Sequence, residues 1–164
     1  MRSAQLSKAR SKNIMANPLY DTLFAPHLGS DKAFLDFSDS EPLTYAGFLT
    51  EAARFAAAIN ATGLMPGDRL AAQIEKSPQA LAVYAACAQL GVVFLPLNSA
   101  YTPAEVEYFV SNSGAGILLC DARKENALAK IAIQYGAELM TLNADGTGSL
   151  ADLAAGLSFC WDVA

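Results

Sequence analysis

The stretch RLAAQIEKSPQALAVYAACAQLGVVFLPLNSAYTPAEVEYFVSNSGAGILLC, residues 69–120, decides the fold. Its opening run, Arg69 to Ile74, is short and apolar and reads as a strand. Ser77-Pro78 follows, a hydroxyl N-cap and then proline at the first helical position, where its missing N–H goes unnoticed. Ala80, Leu81, Tyr84, Ala85 and Ala88 recur at helical spacing and read as the inner face. Gly91 ends that helix, and Val92-Val93-Phe94-Leu95 reads as a buried strand. Thr102-Pro103-Ala104-Glu105 is a capping box with proline at the first helical position. It starts a second helix with Val106, Phe109 and Val110 inward. Gly116-Ile117-Leu118-Leu119-Cys120 is a third, continuously apolar strand. Strands apolar on both sides, alternating with helices, predict a doubly wound α/β fold with a largely parallel sheet and helices on both faces.

The pattern continues in both directions. Upstream, Asn17-Pro18 starts a helix with Leu19, Leu23 and Phe24 as an apolar face. Residues 33–37 and Leu43-Thr44-Tyr45 read as a hairpin around a turn over 38–42. Thr44 caps a helix in which Phe48, Leu49, Ala52, Phe55, Ala56 and Ile59 recur. Gly63 closes it, and Pro66-Gly67-Asp68 turns the chain into residue 69. Downstream, a helix over 124–135 and a strand over 138–142 complete the series.

Composition narrows the function classes. Of 164 residues, 53% are hydrophobic and 16% charged, enough apolar surface to offset the ordering entropy of a folded chain. Glu75, Lys76 and Gln79 interrupt the richest apolar stretch, so a membrane span is not expected. The net charge is −5, and the basic residues Arg2, Lys8, Arg10 and Lys12 all precede Met15, with no acid among them. The remaining body is strongly acidic and repels a phosphate backbone, which argues against a nucleic-acid partner. Residues 1–14 read as a disordered basic extension, with Met15 as the alternative start. The cytoplasm is the expected location, and the mitochondrial matrix is the alternative that the basic segment suggests. Cys87, Cys120 and Cys160 have no metal-ligand spacing. The first two read as small buried hydrophobes of a reducing compartment.

Several residues invite a catalytic or binding reading, and each has a structural one beside it. Gly146-Thr147-Gly148-Ser149-Leu150-Ala151 satisfies a dinucleotide fingerprint but lacks the downstream half of the unit, so a glycine turn capped by Ser149 is preferred. His27 has no nucleophile elbow to serve and reads as the end of a surface helix. Asp36, Asp39 and Glu41 read as solvated turn residues. Glu75-Lys76 follows a strand end, where ligands bind in open α/β sheets, yet a surface ion pair or a helix-start charge is the preferred reading. Tyr84, Phe94, Tyr101, Tyr108 and Phe109 read as core. No catalytic, cofactor-binding or metal-ligating residue is assigned.

Leu43-Thr44-Tyr45, Pro66-Gly67-Asp68-Arg69, Gly91-Val92-Val93-Phe94-Leu95-Pro96-Leu97-Asn98 and Tyr101-Thr102 together resemble the N-terminal part of the adenylate-forming acyl-CoA synthetases, the AMP-binding superfamily. Glu75-Lys76-Ser77, Leu97-Asn98-Ser99-Ala100-Tyr101-Thr102 and Asp145-Gly146-Thr147-Gly148-Ser149-Leu150 resemble malonyl-CoA synthetases in particular. The resemblance implies an AMP-forming acid–CoA ligase of fatty acid metabolism using ATP, magnesium and coenzyme A. A carboxylate attacks the α-phosphate of ATP, releasing pyrophosphate, and the coenzyme A thiol then displaces AMP. The family's phosphate loop, adenine segment and C-terminal lysine have no counterpart here, so no catalytic residue is carried over. Residues 15–157 are therefore expected to be a partial N-terminal α/β subdomain, and 158–164 an atypical tail. The leading expectation is a truncated ligase fragment, inactive alone and needing no cofactor by itself, with self-association through an exposed sheet edge. The alternatives are an interaction subunit paired with a complementary chain that carries the phosphate loop, and an independent nucleotide-binding domain using Gly146 and Gly148.

Overall fold

The computed structural model describes residues 17–38 and 40–157. The basic extension, the tail with Cys160, and Asp39 lie outside the described residues. The elements run α1 (Pro18–Leu23), β1 (Ala33–Phe37), β2 (Ser40–Thr44), α2 (Tyr45–Ala61), β3 (Arg69–Gln73), α3 (Pro78–Leu90), β4 (Val93–Pro96), α4 (Pro103–Ser113), β5 (Ile117–Cys120), α5 (Glu125–Tyr135), β6 (Glu138–Thr141) and α6 (Ser149–Gly156). Strands β1 and β2 form an antiparallel hairpin, while β4-β3-β5-β6, in that order, form a four-stranded parallel sheet.

Strand β3 pairs with β4 on one side and β5 on the other, with Leu70 opposite both Phe94 and Ile117. Alternation along the strands divides the interior into two cores. Leu70, Ala72, Ile117 and Leu119 face α2, α3 and α6, whereas Ala71, Leu118 and Cys120 face α4 and α5. The helices thus cover both faces, as the doubly wound reading requires. Within α2, Phe48, Phe55 and Ile59 are essentially unexposed. Each contributes about 1.5–3 kcal/mol by burial. The Thr44 hydroxyl, which accepts from the Gly47 N–H at 3.1 Å, contributes about 1 kcal/mol. Packing therefore dominates this helix, and the cap fixes where it starts.

The caps read from the sequence are formed. Asn17 caps α1 and Ser77 caps α3, and Thr102 with Glu105 makes the reciprocal capping box of α4. Arg69 closes the other end of α4, donating from Nε to the Ser113 carbonyl at 2.6 Å and from Nη2 to the Gly114 carbonyl at 2.8 Å. A cation there suits both the unsatisfied carbonyls and the negative end of the helix dipole.

Four expectations need correction. Leu19 and Leu23 are each 46% exposed, because the six-residue α1 seats through Tyr20 and Phe24 instead. In α3 the buried set is Ala82, Val83, Ala85, Ala86, Cys87 and Ala88, while Leu81 is 43% exposed. This helix is apolar on every side, so spacing alone could not select its face. Strand β4 is a sheet edge, with Val93 49% exposed, and is not fully buried. The second hairpin strand starts at Ser40, and Tyr45 already belongs to α2. Helix α6 was not anticipated.

Helix α6 hangs on a clasp. The Ser149 hydroxyl accepts from the Thr141 N–H at 2.9 Å, and the Thr141 hydroxyl accepts from the Ser149 N–H at 2.9 Å. Gly148, at φ +134°, permits this approach, since a Cβ there would lie 2.4 Å from the Thr141 carbonyl oxygen. Gly148→Ala is expected to lose about 1–3 kcal/mol in urea denaturation. Gly63→Ala, whose Cβ would meet nothing within 4 Å, loses less. Equal losses would contradict the clasp.

Candidate functional site

The carboxyl ends of β3 and β4 open into a groove, which is where open α/β sheets bind ligands. Beyond β3 the chain runs through Ile74, Glu75 and Lys76 to Ser77, whose Oγ accepts from the Ala80 N–H at 3.0 Å and starts α3. Beyond β4 it runs through Leu97, held by its N–H to the Ala72 carbonyl at 2.8 Å. Asn98 and Ser99 follow. The groove has a volume of about 1370 Å³. Leu81 and Tyr84 of α3 and Phe94 of β4 line one wall, and Leu35 and Phe37 of the hairpin line another. Tyr84 meets Phe94 edge to face, with ring centroids 5.7 Å apart.

Buried polar side chains fix the loops at this end of the sheet. Gln73, 1% exposed, donates from Nε2 to the carbonyls of Asn98 at 3.0 Å and Tyr101 at 2.8 Å. Lys124 donates from Nζ to the Ser99 carbonyl. Asn98 Oδ1 accepts from the Ala100 N–H at 2.9 Å. The loop over 97–102 is thereby pinned from three sides. At the end of β5, Asp121 takes a fork from Arg123, Nε to Oδ1 at 2.8 Å and Nη2 to Oδ2 at 3.0 Å. The Arg123 hydrogen bond holds the Asp121 carboxyl below its ordinary value, against the opposing effect of burial.

The two segments Glu75-Lys76-Ser77 and Leu97-Asn98-Ser99, separated in sequence, line the same groove. Their adjacent charges, Glu75 and Lys76, are the only formally charged residues lining it among the described residues. Ser77 is engaged as a helix cap, and the Ser99 hydroxyl has no hydrogen bond to a base among the described residues. The arrangement can seat an apolar group against a polar edge. It has no bond-making set of its own.

The other sequence candidates have structural occupations. His27 stacks on Tyr45 with centroids 4.2 Å apart and does not line the groove. The close approaches at Gly146 and Gly148 are to Gln79 and to the Thr141 backbone, so both glycines serve the fold. Asp36 and Glu41 lie exposed on the hairpin. Tyr101 and Phe109 stack in the second core, as expected. Tyr84 and Phe94 pack, partly buried, against the first core and also line the groove, whereas Tyr108 is 65% exposed, which corrects its reading as core. The groove itself was missed, because the approach of the hairpin to α3 leaves no local signal. Among the described residues no group of three or more His, Cys, Asp or Glu could hold a metal ion. No described helix is long and apolar enough to cross a membrane.

Burial pushes the Cys87 thiol up to about 12 and, with help from Glu125 and Asp121, the Cys120 thiol up to about 11. Both stay protonated in the fold while an unfolded chain ionises near its ordinary thiol value of about 8.5. The unfolded state then binds fewer protons, so stability present below about pH 8.5 falls as pH rises toward 11–12. The urea midpoint is expected to drop between pH 8 and pH 10, and Cys87→Ala with Cys120→Ala should flatten that drop. An unchanged slope in the double variant would contradict this assignment.

A family model described as AMP-binding enzyme matches residues 25–153. Feruloyl-CoA synthase of Amycolatopsis is 36% identical over 90 residues, covering 55% of this chain and 18% of that protein. The long-chain-fatty-acid–CoA ligase FadD13 of Mycobacterium tuberculosis is 27% identical over 121 residues, covering 74% of this chain and 24% of that protein. Among solved structures, ATP-bound MatB of Rhodopseudomonas palustris superposes with a TM-score of 0.81 at 41% identity, over 88% of this chain and 29% of MatB. The chain thus spans less than a third of the length of each of these relatives. It belongs to the AMP-binding enzyme family.

Proposed function

We propose that these residues form part of the N-terminal subdomain of an AMP-forming acid–CoA ligase whose carboxylate substrate is malonate or a similarly short acid. The observation that carries this reading is the convergence of Glu75-Lys76-Ser77 and Leu97-Asn98-Ser99 on one groove. Both strings resemble malonyl-CoA synthetases, and ATP-bound MatB supports the same assignment through its 41% identity over 88% of the chain.

In the ligase reaction a carboxylate oxygen bonds to the α-phosphorus of ATP as the bond to pyrophosphate breaks. The coenzyme A sulfur, having lost its proton, then bonds to the acyl carbon as AMP leaves. Offsetting the charge that develops on the phosphates needs several converging donors or cations. The groove offers one lysine beside one glutamate, which does not fit ATP with magnesium, so no step is assigned to these side chains. Their part is to build a rigid wall. Gln73, Lys124 and the Thr102–Glu105 capping box hold the loop over 97–102, and the Tyr84–Phe94 pair holds α3 against β4. The buried free thiols Cys87 and Cys120 support a reducing compartment, the cytoplasm.

By itself the 164-residue chain is expected to catalyse no ATP–pyrophosphate exchange with malonate, acetate or benzoate above a protein-free blank. Replacing the matching segment of Rhodopseudomonas palustris MatB with residues 17–157 is expected to preserve the parent enzyme's exchange activity within about tenfold, a barrier change of about 1.4 kcal/mol. Robust exchange by the chain alone would overturn its inactivity. A folded but inactive chimera would overturn the ligase assignment.

A further inference from the structure

The two edges of the parallel sheet are built differently. At β4, Val93 donates its N–H to Asp68 and Leu97 to Ala72, both toward β3. Alternation turns Phe94 and Pro96 outward, and proline has no N–H. Phe94 is therefore the one outward donor of β4.

At β6, Glu138 donates its N–H to Gly116 and Leu142 to Cys120, both toward β5. Alternation turns Leu139 and Thr141 outward. Thr141 is only 5% exposed, and its outward N–H donates to the Ser149 hydroxyl at 2.9 Å. Gly148 lies against the Thr141 carbonyl, so close that a Cβ would stand 2.4 Å from its oxygen and 3.0 Å from the Leu142 Cα. Just beyond the strand, the Asn143 N–H donates to the Thr147 carbonyl at 2.8 Å. A strand added to β6 would run about 4.7–4.9 Å from it. Gly148 and Ser149 already fill that place at the strand's carboxyl end. Leu150 and Ala154, buried in the first core, anchor the segment from behind.

This edge has few other defences. Leu139-Met140-Thr141-Leu142 carries no charge and no proline, the two devices that most often keep an edge from pairing. Glu138, exposed at the strand's start, supplies the nearest charge. We infer that residues 147–149 are an edge guard, which occupies the pairing groups of Thr141 and so keeps β6 from adding a strand of a second copy of this chain. Removing the Ser149 hydroxyl frees the Thr141 N–H. Leu139 and Thr141 then present two outward donors two residues apart, the repeat at which an antiparallel strand pairs.

The test compares the 164-residue chain with its Ser149→Ala variant. Hydrogen exchange at the Thr141 amide is expected to quicken at least about tenfold in dilute samples. Sedimentation velocity is expected to find oligomers at concentrations at least about tenfold lower than in the parent chain. In those oligomers the Leu139 and Thr141 amides regain protection. Ser149→Thr, which keeps the hydroxyl, should behave as the parent does. Ala154→Gly weakens α6 with the clasp intact, so it should lower stability and leave association unchanged. Ser149→Cys, of similar volume with a weaker acceptor, is run in parallel, so that the outcome does not hang on the folding of one variant. An unchanged Thr141 amide in both the alanine and cysteine variants overturns the guard. So does a fast-exchanging Thr141 in a chain that associates no more than the parent. Equal association by Ala154→Gly overturns it as well, because loss of stability alone would then suffice. Oligomers that protect Phe94 of β4 and leave Thr141 exchanging also overturn it.

Discussion

Everything in this structure depends on the burial of both faces of strand β3. It is hydrogen-bonded on both sides, to β4 and β5. Leu70 and Ala72 enter one core and Ala71 the other. A parallel strand so placed tolerates no polar side chain along its middle and no uncovered face. The small alanines let helices approach closely, so α2 and α3 can pack side by side on one face while α4 and α5 cover the other. Arg69, at the strand's start, extends this control by tying down the end of α4.

The apolar layer stops where the strands end. Gln73, Asp121 and Thr141 are the buried polar or charged residues of the described chain, and they stand at the carboxyl ends of β3, β5 and β6. Each answers its desolvation with hydrogen bonds that also fix the next stretch of chain. Gln73 fixes the loop after β4, Asp121 fixes the turn into α5, and Thr141 fixes α6. The groove exists because these loops are held while the hairpin and α3 stop short of covering the β4 side.

Much of the fold was legible in the sequence, for reasons that are local. Asn17, Thr44, Ser77 and Thr102 mark helix starts through side-chain chemistry that does not depend on tertiary neighbours. The strand Ile117-Leu118-Leu119-Cys120 is apolar at every position because both its faces are buried. Reading failed where local signals were degenerate. The apolar run of β4 resembles that of β5, yet one strand is an edge and the other central, and strand order is a property of the whole sheet. Helix α3 offers apolar residues in all directions, which hid the outward role of Leu81. The glycines near 146–148 matched a nucleotide fingerprint, whereas they admit Gln79 and the Thr141 backbone. The groove's two defining segments were legible only as a family likeness, since their meeting depends on the pairing of β3 with β4.

The central claim is that β3 and β5 form the doubly paired, doubly covered centre of the sheet while β4 is its open edge. Hydrogen–deuterium exchange at the Phe94 amide, the one outward N–H donor of β4, reads it directly. The account predicts fast exchange at Phe94 and protection of the amides of β3 and β5. Protection at Phe94 equal to that of the central strands would contradict it.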